Sequence, residues 1–168
     1  TIDIPNILKP RLPFSHKGSF GHVLILAGAA ETMGGAMITA KACLHAGAGL
    51  TTACIPESGL TALNTELPEV MYLSRKKLLS ATEEDLTKFN TIGIGPGLGT
   101  LETGILELLS KFKDNVVADA DALNMIARHE KHIDILPSNS IITPHVKEFD
   151  RLFGDHETWW ERLQTAAK

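Results

Sequence analysis

Short apolar runs alternate along the chain with segments in which apolar residues recur every three to four positions. Nearly continuous apolar runs are typical of strands buried on both faces of a parallel sheet, whereas the longer period indicates helices packed on such a sheet. The pattern therefore predicts an α/β fold with a mostly parallel sheet, helices on both faces and right-handed crossovers. The predicted strands are residues 22–28, 49–56, 69–73, 91–95, 115–121 and 140–145.

The clearest helical pattern follows the first predicted strand. Thr32 precedes it and is predicted to be its N-cap, because a threonine oxygen can accept a hydrogen bond from the first helical turn. Residues 101–112, 146–153 and 156–168 show the same spacing. The apolar positions of the first helix are Met33, Ala36, Met37, Ala40, Cys43, Leu44 and Gly47.

The main predicted strands all end on flexible or polar residues. In open α/β sheets, ligands bind in the crevice beyond the carboxyl ends of the strands. The strand ends therefore predict the floor of one ligand-binding crevice. They are Gly28, Pro56, residues 95–99, Asp119 with Asp121, and His145.

The stretch TIGIGPGLGT, residues 91–100, is the most distinctive of these ends. Gly95, Gly97 and Gly99 would let backbone N–H groups approach a ligand that a Cβ atom would exclude, and Pro96 would stiffen the turn. A helix starting at Leu101 would favour an anion at its N-terminus. The alternative is a tight strand–helix turn without a ligand. The stretch matches neither the dinucleotide fingerprint G-x-G-x-x-G nor the P-loop.

Other residues at or near the strand ends also allow two interpretations. Gly34 and Gly35 lie in the first turn of a predicted helix, where glycine permits either close ligand approach or close packing. Asp119 and Asp121 would project from the same side of a strand end and could hold a hydrated magnesium ion or ligand hydroxyls. Alternatively they could cap the next helix, and this role is favoured for Asp121. His145 could point into the crevice or cap the helix that follows it.

Composition narrows the classes of function. The 168 residues are 43% hydrophobic and 21% charged, which predicts one compact unit. The net charge of −4 gives no basic field for a nucleic acid or an anionic membrane, so small molecules are the expected partners. Two cysteines, without metal-site spacing, favour a reducing cytoplasm, and no apolar stretch reaches membrane-span length. No metal site is predicted.

Five motifs in order give the chain a resemblance to a known family. They are HKGSFGHVLILAG (16–28), HAGAGLTTACIP (45–56), IGIGPGLGT (92–100), VADADALN (117–124) and ITPHVKEFDRLFG (142–154). Together they resemble the catalytic domain of the ADP-dependent NAD(P)H-hydrate dehydratases, a carbohydrate-kinase-related family. The resemblance implies a ribokinase-like three-layer αβα sandwich.

The resemblance also implies a reaction. A nucleotide, either ADP or ATP, with or without magnesium, would phosphorylate the hydroxyl of hydrated NADH or NADPH, and elimination of that phosphate would restore the cofactor. A ribokinase-like kinase for a carbohydrate or vitamin precursor is the alternative, and a nucleotide-sensing or assembly module is a non-enzymatic one. The substrate-binding positions that the resemblance implies are Gly35, Ala36, Gly97, Gly99 and His145, with Asp119, Asp121, Asn124 and Glu148 in support.

The chain departs from the family pattern in one respect. It contains neither the lysine–glycine strand nor the glycine-rich glycine–aspartate motif with which family members hold the nucleotide and supply a catalytic aspartate. Residues 1–168 are therefore expected to be the N-terminal portion of one dehydratase domain, with the catalytic aspartate beyond Lys168. The resemblance of residues 9–18 to two-domain members suggests a preceding epimerase domain, and a homo-oligomer is expected.

Overall fold

The computed structural model describes residues 11–99, 104–129 and 131–168. All six predicted strands are present in it, and they are shorter than the apolar runs that predicted them. The polar and glycine residues at their carboxyl ends lie in loops. The strands are β1 (His22–Leu26), β2 (Leu50–Ile55), β3 (Met71–Ser74), β4 (Thr91–Ile94), β5 (Asn115–Ala118) and β6 (Ile141–Ile142).

The six strands form one sheet in the order β3-β2-β1-β4-β5-β6, and every neighbouring pair is parallel. The predicted α/β class is therefore confirmed. The strand order reverses between β1 and β4, and Leu26 at the end of β1 is in register with Ile94 at the end of β4. The loops after these two strands therefore leave the sheet side by side, at the place where open α/β sheets bind ligands.

Helices follow the strands in alternation. The predicted helix over residues 101–112 is seen from Gly104 onward, and its first three residues lie outside the described residues. The helices are α1 (Met33–His45), α2 (Leu60–Glu66), α3 (Arg75–Leu79), α4 (Glu83–Leu86), α5 (Gly104–Lys111), α6 (Asp121–Ile126), α7 (Val146–Phe153) and α8 (Trp159–Ala166).

The sheet separates two hydrophobic clusters. Along β1, Leu24 and Leu26 belong to one cluster, whereas Ile25 and the following Ala27 belong to the other. This alternation arises because successive side chains of a strand point to opposite faces. Helices α5, α6 and α7 bury their apolar residues in the first cluster, and α1 and α2 bury theirs in the second. Both faces of the sheet are thus covered by helices, as the sequence predicts.

Helix α8 is held by polar contacts and exposes its apolar face. The Arg162 guanidinium makes two hydrogen bonds to the Asp150 carboxylate, at 2.9 and 2.6 Å. The His156 ring bridges the same carboxylate and the Thr165 hydroxyl. Trp159 and Trp160 are 68% and 58% exposed. The apolar face predicted for this helix is therefore present, and the described part of the chain leaves it largely uncovered.

Candidate functional site

The loops after β1 and β4 are joined at the carboxyl edge of the sheet. The Gly28 N–H donates to the Pro96 carbonyl at 3.0 Å, and the Gly95 N–H donates to the Leu26 carbonyl at 3.1 Å. The Thr32 hydroxyl donates to the Gly97 carbonyl at 2.6 Å. Thr32 is the N-cap residue of α1, as predicted, but its side chain makes no capping hydrogen bond. Its hydroxyl group instead links the start of α1 to the glycine turn.

Gly35 and Gly97 are required by the packing of these two loops. A Cβ atom on Gly35 would lie 3.0 Å from the Pro96 carbonyl oxygen. Gly97 has φ +61°, and a Cβ atom there would lie 2.5 Å from the Thr32 carbonyl oxygen. Gly34 differs, since it is exposed and a Cβ atom added to it would meet nothing within 4 Å. Close packing therefore explains Gly35, while Gly34 borders open space.

Ala36 is fully buried beneath this turn. A Cβ atom on Gly28 would lie 2.9 Å from the Ala36 Cβ, so Ala36 supports the loop after β1 from below. Direct contact between Ala36 and a ligand would require that loop to move. The role of Ala36 in binding stays a prediction.

Asp121 accepts a hydrogen bond from the glycine turn. Its Oδ2 lies 2.8 Å from the Gly99 backbone nitrogen, which donates to it. Asp121 is the first residue of α6, whose N-cap position is taken by Ala120 without a side-chain cap. The predicted capping role of Asp121 is therefore wrong. The carboxylate instead ties the turn after β4 to the end of β5.

Asp119 is the freer carboxylate at this edge. Strand β5 ends at Ala118, so Asp119 and Asp121 do not lie on one strand end as predicted. Within the part of the chain that the structure describes, the Asp119 side chain makes no hydrogen bond or ion pair, although its backbone N–H donates to the Ile94 carbonyl at 3.0 Å. The half-buried Asp119 carboxylate is thus free to accept hydrogen bonds from a ligand.

His145 caps helix α7. Its Nδ1 accepts hydrogen bonds from the backbone N–H groups of Lys147 and Glu148, at 3.1 and 3.3 Å. A nitrogen that accepts bonds carries no proton, so the ring proton lies on Nε2, 3.2 Å from Glu148 Oε1. The capping interpretation is therefore confirmed. The ring remains 62% exposed and can still meet a ligand at its open side.

Glu148 is the one charged residue that is buried among the described residues, at 5% exposure. Its Oε2 accepts the His145 N–H at 2.9 Å, which completes a capping box. Asn124 lies nearby in α6, donates to the Ala120 carbonyl at 3.3 Å and accepts a bond from Arg151. Glu148 and Asn124, two of the four predicted supporting residues, therefore stabilise the helices α6 and α7.

The predicted residues form two groups. The first joins the ends of β1, β4 and β5 through Gly35, Gly97, Gly99 and Asp121, and the second is the His145–Glu148 cap after β6. Within the described ranges, no hydrogen bond joins the residues of one group directly to those of the other. The Thr143 N–H nevertheless donates to the Ala118 carbonyl at 3.1 Å, and Arg151 donates to Asn124, so the strands and helices that carry the two groups are bonded to each other. Sequence reasoning missed Arg75, whose guanidinium donates to the Gly28 carbonyl. The rule that a residue following a strand end faces the crevice would have found it, because Arg75 follows β3 directly.

Two classes of site are not seen among residues 11–99, 104–129 and 131–168. No group of three or more histidine, cysteine, aspartate or glutamate side chains there could hold a metal ion. Nor does any helix in these ranges combine the length and the apolar character that a bilayer span requires.

Comparison with known proteins identifies relatives of the chain. Residues 23–168 match the model of the carbohydrate-kinase family described as NAD(P)H-hydrate dehydratase. An ADP-dependent (S)-NAD(P)H-hydrate dehydratase of Streptococcus thermophilus is 39% identical over 160 residues, which are 90% of this chain and 55% of the relative. The bifunctional NAD(P)H-hydrate repair enzyme Nnr of Escherichia coli is 37% identical over 88% of this chain and 28% of its own length.

Solved structures share the fold. An ADP/ATP-dependent NAD(P)H-hydrate dehydratase of Bacillus subtilis, co-crystallised with ATP and Mg²⁺, superposes with a TM-score of 0.73 and 30% identity over 88% of this chain and 52% of that one. A ribokinase-like protein of Enterococcus faecalis gives a TM-score of 0.79 at 25% identity over 94% of this chain and 58% of that one. The chain thus spans about half the length of the single-function relatives that it matches.

Proposed function

Because the chain belongs to the NAD(P)H-hydrate dehydratase family, we propose that its protein uses ADP or ATP to dehydrate (S)-hydrated NADH and NADPH. In this reaction the substrate hydroxyl takes a phosphoryl group from the nucleotide. The phosphate then leaves with the hydroxyl oxygen, and the adjacent ring carbon loses a proton, so that the nicotinamide double bond re-forms. The products are NAD(P)H, inorganic phosphate and the shortened nucleotide. The reaction therefore removes the elements of water at the expense of one phosphoryl bond.

One observation supports this proposal most directly. The glycine turn after β4 is packed against the N-terminus of α1, with Gly35 against the Pro96–Gly97 peptide and Thr32 bonded to the Gly97 carbonyl. This contact lies at the reversal of strand order, which is the binding position in open α/β sheets. Exposed Gly34 leaves the adjoining first turn of α1 unobstructed. A rigid backbone surface beside open space suits a ring that must be held in one orientation.

We assign the residues of this edge to binding. Gly35, Gly97 and Gly99 shape the surface that meets the hydrated nicotinamide ring, and Ala36 supports it from beneath. His145 presents the open side of its ring to the substrate, while Glu148 and Asn124 hold it through the helices. Asp119 accepts hydrogen bonds from ligand hydroxyls. The identity of the catalytic base is not assigned to any of these residues.

Magnesium, when used, would come with the nucleotide. Magnesium in nucleotide sites is commonly held by one or two carboxylates together with substrate phosphates. The described residues offer the free Asp119 carboxylate at the sheet edge but no ready-made cluster of ligands. Asp119 is therefore the residue that would contribute to such a site. The ion would supply charge neutralisation on the phosphates.

The setting of the reaction is also part of the proposal. Cys43 and Cys54 are both free thiols, which suits a reducing compartment, and we propose that the protein works in the cytoplasm. Bifunctional relatives lead us to propose that an epimerase activity can accompany the dehydratase in one polypeptide. A homo-oligomer and the absence of nucleic-acid and membrane partners stay predictions.

A turnover assay tests the proposed reaction. The full-length protein is incubated with hydrated NADH and either ADP or ATP, and the absorbance of reduced nicotinamide is followed, with a sample lacking nucleotide as control. We expect absorbance to return only with nucleotide, with phosphate released in equal amount. A phosphorylated product that accumulates without recovery of NADH would instead show the alternative, a ribokinase-like kinase. No consumption of nucleotide with either donor would refute both.

A further inference from the structure

Arg75 reaches from the edge of the sheet to its centre. It is the first residue after β3, which is an edge strand of the sheet that the described residues form, and it is half-buried. Its Nη2 donates a hydrogen bond to the carbonyl oxygen of Gly28, in the loop after β1. Strand β2 lies between β3 and β1, so the side chain passes over the end of β2 to make this bond.

The backbone of Gly28 is held on both sides of its Cα as a result. Arg75 binds its carbonyl, and its N–H donates to the Pro96 carbonyl at 3.0 Å. The Pro96–Gly97 peptide is also the one that packs against Gly35. A series of direct contacts thus connects the guanidinium at β3 to the glycine turn after β4.

Stability alone does not account for an arginine at this position. The Arg75 Nε is buried, and no hydrogen-bond acceptor among the described residues satisfies it. A buried donor without a partner destabilises the folded state. No carboxylate of the described residues forms an ion pair with the guanidinium either. Its neighbour Cys54 provides no negative charge, because burial raises the pKa of that thiol to about 12.

We infer that Arg75 is a positioning residue of the substrate site, which fixes the backbone of Gly28 and through it the Pro96–Gly97 peptide. The guanidinium therefore contributes to substrate affinity without touching the substrate. The expected effect of Arg75 on KM rests on the proposed dehydratase function, whereas its effect on the loops after β1 and β4 does not.

The test compares Arg75→Met, Arg75→Lys and the control Lys76→Met in the full-length protein. Methionine fills similar space without a donor and removes the unsatisfied Nε, while lysine keeps a charged donor for the Gly28 carbonyl. Lys76 is exposed on the same helix, and its side chain makes no contact with Gly28. The control therefore removes a neighbouring positive charge and leaves the hydrogen bond intact.

For Arg75→Met we expect amide hydrogen exchange at Gly28 to accelerate about tenfold, the loss typical of one charge-assisted hydrogen bond. The KM for hydrated NADH should rise by a similar factor while kcat and the melting temperature stay near wild type. Arg75→Lys should recover most of both losses, and Lys76→Met should show neither.

Unchanged exchange at Gly28 in Arg75→Met would overturn the inference, and so would a lowered melting temperature with an unchanged KM. A wild-type protein without turnover would refute the proposed function instead. The exchange measurement would still decide the role of Arg75 in that case.

Discussion

The Asp121 carboxylate accepts the Gly99 N–H at 2.8 Å, across 22 positions of sequence. This bond ties the glycine turn after β4 to the first residue of α6, after β5. Gly99 is half-buried, so its N–H would have little access to water without Asp121. The bond therefore fixes one end of a turn whose other end is fixed by Thr32 and Gly28.

Removing this acceptor should destabilise the protein. For Asp121→Ala we expect the free energy of unfolding to fall by about 1–2 kcal/mol, the cost of leaving a buried donor unpaired. Denaturant unfolding measures it. Asp119→Ala is the matched control, because the Asp119 side chain has no partner among the described residues, and it should cost no stability. Equal losses in the two variants would contradict the role given to the Asp121–Gly99 bond.

The adjacent glycines of α1 should respond in opposite directions to alanine. Gly34→Ala adds a methyl group in open space and should stabilise the helix by up to about 1 kcal/mol. Gly35→Ala places its Cβ 3.0 Å from the Pro96 carbonyl oxygen, so the glycine turn must shift and the melting temperature should fall. Affinity for hydrated NADH, measured by calorimetry, should fall with Gly35→Ala. A Gly35→Ala protein as stable as wild type would show that the turn yields without cost.

His145 offers a way to separate capping from ligand binding. His145→Ala removes the N-cap of α7 and should cost about 1 kcal/mol of stability, whereas His145→Asn retains a good N-cap and should cost little. If the exposed side of the ring binds substrate, both variants should raise KM, since neither carries an imidazole. A KM that rises only in the alanine variant would assign His145 to capping alone.

Acid should release helix α8. The hydrogen bond from Arg162 first, and that from His156 next, hold the pKa of Asp150 below its ordinary value. The carboxylate thus stabilises the fold fully above the unfolded-state pKa of about 4 and loses this effect as the pH falls through the lower folded-state pKa. We expect tryptophan fluorescence from Trp159 and Trp160 to change in that acidic window.

The Asp150→Asn variant should lack this acid transition, because it has no carboxylate to protonate. Glu157→Gln is the control that removes an exposed carboxylate whose side chain makes no bond among the described residues, and its transition should match wild type. An identical transition in Asp150→Asn would place the titrating group elsewhere.

The order of elements was determined by the sequence itself. The apolar runs are long enough for strands but too short for helices. They alternate with segments in which apolar residues recur every three to four positions, and this alternation predicts βαβ units whatever the detailed packing. The side chains of β1 point alternately to the two faces of the sheet, Leu24 to one and Ile25 to the other, and this follows from the geometry of a strand. The meeting of the glycine and polar strand ends at one place was equally predictable, because parallel strands bring all their carboxyl ends to one edge of the sheet.

The partners of the polar side chains were decided by the tertiary structure. Thr32 and Asp121 both have the local sequence context of helix caps, yet each bonds a glycine of the distant turn after β4. Arg75 stands in the polar stretch SRKK and resembles a surface residue, yet it binds Gly28. Local capping competes with backbone groups that only the pairing of β1 with β4 and of β4 with β5 brings near. Buried backbone donors and acceptors must be satisfied. Thr32 and Asp121 therefore bond the backbone of the glycine turn and not the helix ends to which the sequence alone assigns them.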